Sequence, residues 1–101
     1  MKNTLVALTL SAAAVSPAFA DLALATSKNC MACHAVDKKR VGPAYKDIAA
    51  KYKADKSAAD QLAIKVVQGG AGVWGPVPMP ANPQLSQADA KKLVAWVLSA
   101  K

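Results

Sequence analysis

Histidine occurs once in this 101-residue sequence, cysteine twice and glutamate not at all, and aromatic side chains make up only 5% of it. One imidazole and two thiols cannot complete a four-coordinate zinc site built from Cys and His. Strand-period alternation of useful length is missing too, which removes the βαβ setting expected of a thioredoxin-like thiol pair. Long apolar runs are scarce: after residue 20 every such stretch is broken by Lys, Asp, Gly or Pro, and the run from Leu5 to Val15 is too short to span a bilayer. No internal repeat is visible. The few aromatics offer no stacking platform, so nucleic acid is not an expected partner despite a net charge of +7.

What is present begins with a leader. Lys2 supplies a positive start, Leu5 to Val15 an apolar stretch, and Ala18-Phe19-Ala20 a small-x-small cleavage site. Residues 1–20 are therefore expected to be a signal peptide, removed to leave a single domain over 21–101 in an exported protein. In a Gram-negative cell that means the periplasm, with no membrane insertion after cleavage. Losing Lys2 leaves twelve basic side chains against six acids, all Asp, a net charge near +6. A domain this short struggles to bury enough apolar surface by itself.

The chemistry is concentrated in Cys30-Met31-Ala32-Cys33-His34. Two thiols spaced to straddle two vinyl groups, followed at once by an imidazole, match the attachment site of a c-type haem with His34 as the proximal ligand. A covalently held haem would also give the helices a large apolar body to pack on. Ahead of this motif, Asp21 to Lys28 contains no Gly or Pro and predicts a first helix. Residues 35–43 predict a loop ending in Gly42-Pro43. Tyr45, Ile48, Ala49 and Tyr52 then share one helical face. Ser57 and Asp60 suggest a capping box opening a third helix, which carries Leu62, Ala63, Val66 and Val67 and ends at Gly69-Gly70. Four prolines keep residues 71–83 irregular. Ser86 and Asp89 cap a last helix, with Leu85 as the staple and Leu93, Val94, Trp96, Val97 and Leu98 for packing. The pattern is all-α, with about four helices.

A haem iron needs a second axial ligand, and His34 is the only histidine. Met1 leaves with the leader, and Met31 is tethered too closely to the two cysteines to reach the other haem face. Met79 remains, on a backbone stiffened by Pro78 and Pro80. A methionine can also simply fill a gap in a core. As a ligand, its thioether would favour Fe(II) relative to a second imidazole.

Over residues 21–101 the chain resembles a small class I cytochrome c of the bacterial c-551/c-552 type. The matching motifs are Cys30-Met31-Ala32-Cys33-His34, the run Val41 to Asp47, the loop Gly72 to Pro80 and the closing Trp96-Val97-Leu98. The resemblance implies a four-helix fold on one haem c joined through Cys30 and Cys33, with the terminal helices crossing. It implies that the Pro43 carbonyl accepts the His34 Nδ1 proton, a contact that orients the ring and raises its basicity. On the same basis Trp74 donates to a haem propionate and Asn82 to the Met79 sulfur. The residues alone also allow a plain turn at Gly42-Pro43, simple packing at Trp74 and an Asn-Pro turn at Asn82. Lys65 stands where such proteins often carry an arginine near the second propionate, without the guanidinium fork.

With both axial positions filled, the chain is expected to be a monomeric one-electron carrier and not an enzyme. Its partners would be redox proteins: a bc1-type or c4-like donor, and a nitrite reductase, terminal oxidase or peroxidase as acceptor. Lys38-Lys39-Arg40 with Lys51, Lys53 and Lys56 is either a solvated face or a cationic rim that steers acidic partners. Two other readings are a gas-binding or peroxidase-like haem protein with an open sixth position, for which no distal His or Arg pair is evident, and a haem-free protein with Cys30 and Cys33 in a disulfide.

Overall fold

The computed structural model describes Ala7 and residues 17–101; the expected Lys2 and Leu5 to Val15 segments of the leader otherwise lie outside the described residues. Four α-helices follow in order: α1 (Pro17–Ser27), α2 (Tyr45–Lys51), α3 (Ala58–Gln68) and α4 (Gln87–Leu98), with a 3-10 turn at Cys30–Ala32 after α1. Among the described residues the only β pairing is an isolated antiparallel bridge between Gly70 and Met79. No helix there is long and apolar enough to cross a membrane.

Helix α4 is the hub, packing against α1, α2 and α3. Its apolar stripe meets α1 and α3 at a cluster of Ala25, Ala63, Leu85, Ala90, Leu93 and Val94. Ala63 and Ala90 are fully buried, and Ala25 and Ala58 nearly so. Small residues at these points let the helix axes approach closely, so the larger side chains Leu62, Val66, Val67 and Trp96 are displaced to the cluster's edge, partly buried.

Each helix end has a local cause. Helix α1 begins at Pro17, four residues before the expected Asp21. Proline fits a first helical position, where its missing N–H is not needed, and Ala18 and Ala20 are strong helix formers. Asn29 stops this helix in the left-handed region, φ 63°, which Asn tolerates better than most residues, and turns the chain into Cys30. Asp21 on α1 faces Lys92 on α4 at 3.8 Å, a half-exposed ion pair worth little in stability.

The two expected capping boxes fare differently. At Ser86 the hydroxyl accepts from the Asp89 N–H at 3.1 Å, while Leu85, just outside the helix, is buried together with Ala90. At Ser57 no side-chain cap forms, which corrects the expected box with Asp60. The Ser57 N–H and hydroxyl both donate to Asp55 Oδ1, at 2.9 and 2.7 Å, and those bonds hold the Asp55 carboxyl below the usual carboxylate range. The hydroxyl hydrogen is aimed at an aspartate two residues earlier, and no helix N–H reaches the hydroxyl oxygen. Ser86→Ala should therefore cost about 1 kcal/mol, read as a lower denaturant midpoint at unchanged slope, while Asp60→Asn should change stability by no more than a few tenths of a kcal/mol.

Candidate functional site

The segment after α1 builds half of the site within a few residues. The 3-10 turn carries Cys30, and Cys33 follows at its end with its N–H on Cys30 O. His34 is 8% exposed, and its ring is held on three sides. Nδ1 lies 2.8 Å from Pro43 O. A carbonyl only accepts, so Nδ1 carries the proton and, in the neutral ring, Nε2 keeps a free lone pair. Gly42 presses against the ring: a Cβ there would sit 2.5 Å from Cε1 and 2.9 Å from Nδ1. Tyr45 stacks on it with centroids 5.1 Å apart and planes at 25°, and Trp96 meets Tyr45 edge-on at 5.4 Å.

The backbone holds this arrangement in place. Gly42 N–H donates to Cys33 O at 2.8 Å, and the Tyr45 and Lys46 N–H groups donate to Ala35 O and Val36 O. The start of α2 is thus sewn to the residues just after His34. Burial pushes the Tyr45 phenol up, with the nearby Cys30 sulfur adding to the effect. Burial also pushes the Cys30 thiol above its ordinary range, outweighing a backbone hydrogen bond that lowers it.

Met79 is positioned by long-range pairing. Its N–H donates to Gly70 O at 2.7 Å and its carbonyl accepts from Gly70 N–H at 3.1 Å. Gly69 ends α3 with φ 77°, and a Cβ there would lie 2.7 Å from Met79 O and 2.8 Å from Ala81 N. Only glycine lets the helix end and the methionine strand meet at this distance. Three residues on, Asn82 uses its backbone N–H on Val67 O at 2.9 Å and its Nδ2 on Val66 O at 3.0 Å. These bonds satisfy two carbonyls at the C-terminus of α3. The second Nδ2 hydrogen points to Pro80 O at 3.3 Å. Both amide hydrogens are thus directed at carbonyls, and the donation to the Met79 sulfur that the resemblance implies is not among the Asn82 bonds.

Cys30, Cys33, His34 and Met79 border one cavity of about 420 Å³, together with Pro43 and Trp74. Its wall is mainly apolar, including Val41, Leu62, Val66, Val73, Leu93 and Val97. That volume lies within the roughly 300–1,000 Å³ typical of small-molecule and cofactor sites. Two free thiols, an imidazole with an available nitrogen and a thioether facing one apolar cavity are the donor set a haem c requires, and the residues fit the group. Lys65 lines the same cavity, its stem crossing Gly70, where a Cβ would lie 2.8 Å from Lys65 Cε. Asn82 borders a neighbouring cavity of about 310 Å³ with Lys28, Asn29 and Gln84. Among the described residues no three His, Cys, Asp or Glu side chains gather as a metal-binding group.

Sequence reasoning treated Gly42 as part of a turn and Tyr45 as core, and so missed both contacts on the imidazole. Gly69-Gly70 was expected only to end a helix, although a double glycine before a proline-flanked methionine could have signalled a close backbone approach.

A family model described as cytochrome c matches residues 22–101. Cytochrome c-551 of Allochromatium vinosum is 53% identical over 89 residues, 87% of this chain and 95% of that protein. Cytochrome c-552 of Hydrogenobacter thermophilus is 53% identical over 83 residues, 82% of this chain and 84% of that protein. The crystal structure of wild-type Nitrosomonas europaea cytochrome c552 superposes with a TM-score of 0.77 at 54% identity, covering 79% of this chain and 99% of that one.

Gly42→Ala should force the imidazole away from Pro43. We expect a loss of roughly 1–3 kcal/mol in denaturant stability, typical of overpacking, together with a shifted Nδ1–H proton resonance. An unchanged midpoint and resonance would mean that the ring has room to spare.

Proposed function

The chain belongs to the cytochrome c family, as a class I c-type cytochrome of the c-551/c-552 type carrying one covalently bound haem c and serving electron transfer, and from that premise we propose a diffusible periplasmic one-electron carrier with His34 and Met79 as axial ligands. The observation that carries this reading is the convergence of Cys30, Cys33, His34 and Met79 on one apolar cavity. When bound, the haem supplies an iron that alternates between Fe(III) and Fe(II). Cys30 and Cys33 tether it through thioether bonds. His34 offers Nε2, and the Pro43 carbonyl makes that nitrogen more basic while fixing the ring's rotation. Met79 presents a soft thioether from a backbone already immobilised by Gly70, so ligation orders little additional chain. This ligand favours the reduced state relative to a second histidine.

Two filled axial positions leave no place for a substrate to bind iron, so the reading is of a carrier and not an enzyme. With His34 as the only histidine, a distal histidine of the kind that supports gas binding or peroxide chemistry is not available. The leader over residues 1–20 would direct export, with cleavage after Ala20 making Asp21 the first residue of the mature protein. Lys38, Lys39, Arg40, Lys51, Lys53 and Lys56 are all exposed, and Lys39 reaches the cavity edge. We assign this cationic surface to steering acidic redox partners; the bc1-type or c4-like donor and the reductase, oxidase or peroxidase acceptor fit that role.

Three measurements test the reading. Met79→Ala should abolish the weak ferric charge-transfer band of sulfur-ligated iron and lower the reduction potential, and a variant with both properties intact would exclude Met79 as ligand. Mass spectrometry of the exported protein should show a chain starting at Asp21 and heavier by one haem. The rate of electron transfer to an acidic partner should fall roughly tenfold or more from low to high ionic strength; a salt-independent rate would remove the steering role.

A further inference from the structure

The loop between Gly70 and Met79 is secured at its base and nearly free at its tip. Gly70 and Met79 exchange two backbone hydrogen bonds, but from Ala71 to Pro78 the only backbone bond is Gly72 N–H to Gly75 O, which is internal to the tip. Gly72 and Gly75 have φ of 99° and 120°, and a Cβ on either would meet nothing within 4 Å. Val73, Trp74 and Val77 are each more than two-fifths exposed. Nothing in the backbone holds this tip to the helices, yet it supplies Val73 and Trp74 to the cavity wall.

One side chain spans the gap. Lys51, the last residue of α2, places its Nζ 5.7 Å from the Trp74 ring centroid and 5.9 Å from that of Tyr52. Both distances lie within the roughly 6 Å reach of a cation–π interaction. The ammonium also sits where the α2 dipole favours a cation. No carboxylate competes for it, since the only ion pair among the described residues joins Asp21 to Lys92. Tyr52 is half-buried at the end of α2, so the lysine has one anchored ring and one on the loop.

We propose that Lys51 is a positioning residue that latches Trp74, and with it the tip of the methionine-bearing loop, onto the end of α2. The latch governs how often the cavity wall opens to water. It deepens the carrier reading, and rests on it only in that the wall so held is that of the electron-transfer site.

Amide hydrogen exchange at Gly72 in the haem-loaded protein reads the latch directly. Lys51→Met keeps the stem and removes the charge; exchange should quicken about two- to fivefold, the range of an exposed cation–π contact. Lys51→Arg should restore the original rate, because a guanidinium also sits well over an indole. In a Trp74→Leu background, Lys51→Met should have no further effect. Unchanged exchange in Lys51→Met overturns the proposal, and so does an equal acceleration in the Trp74→Leu background or a failure of arginine to rescue. The Lys51 variants leave the proposed iron ligands unchanged, whereas the charge-transfer band reports those ligands, so failure of the latch and failure of the carrier reading are told apart.

Discussion

Close approach of helices through alanine is the constraint on which the rest of this structure depends. Ala25, Ala63 and Ala90 sit where α1, α3 and α4 meet, and Ala44 and Ala49, before and within α2, are buried too. A methyl group at each crossing brings the backbones together but buries little area, so α4 gains its hold by touching every other helix. The larger apolar side chains are pushed toward a shared interior face, where Leu62, Val66, Leu93 and Val97 form the wall of the cavity. A domain of this size cannot afford that wall unless something apolar covers it, and a covalently held haem does so. The cofactor is thus both the working part of the protein and a share of its core.

The two ends of the site are held by different physics. On the histidine side everything is local: residues 30–46 fold back on themselves through Gly42 to Cys33, Tyr45 to Ala35 and Lys46 to Val36, and the imidazole is caught between a glycine, a carbonyl and a phenol ring. On the methionine side the chain must first complete α3, since Met79 is registered by Gly70 and Asn82 closes onto the carbonyls of Val66 and Val67. The His34 ring is ready once one short segment folds, while Met79 waits for a longer closure.

Much of this was legible in the residues. The pentapeptide named the chemistry because few functions need two thiols and an imidazole at that spacing, and the proline-flanked methionine stood out because a chain with one histidine has few soft donors to offer. Helix positions followed from periodicity and from caps at Ser86 and Gly69. What escaped was contact between residues that sequence reading treats one at a time. Gly42 reads as a turn glycine until the imidazole is seen where its side chain would stand; Ser57 reads as a cap until its hydroxyl is found on Asp55; and nothing in the residues announced the Asn82 amide on the carbonyls of Val66 and Pro80. The start of α1 at Pro17 was missed because an expected processing boundary was taken for a structural one, and helix propensity runs on across it.

The bridge between Gly70 and Met79 also separates two lengths that would otherwise be coupled. Because the methionine is registered at the base of its loop, residues could be added or removed among 71–78 without shifting the sulfur along the chain. A change of length in that apex would reshape the shoulder beside the cavity and leave Met79 paired with Gly70.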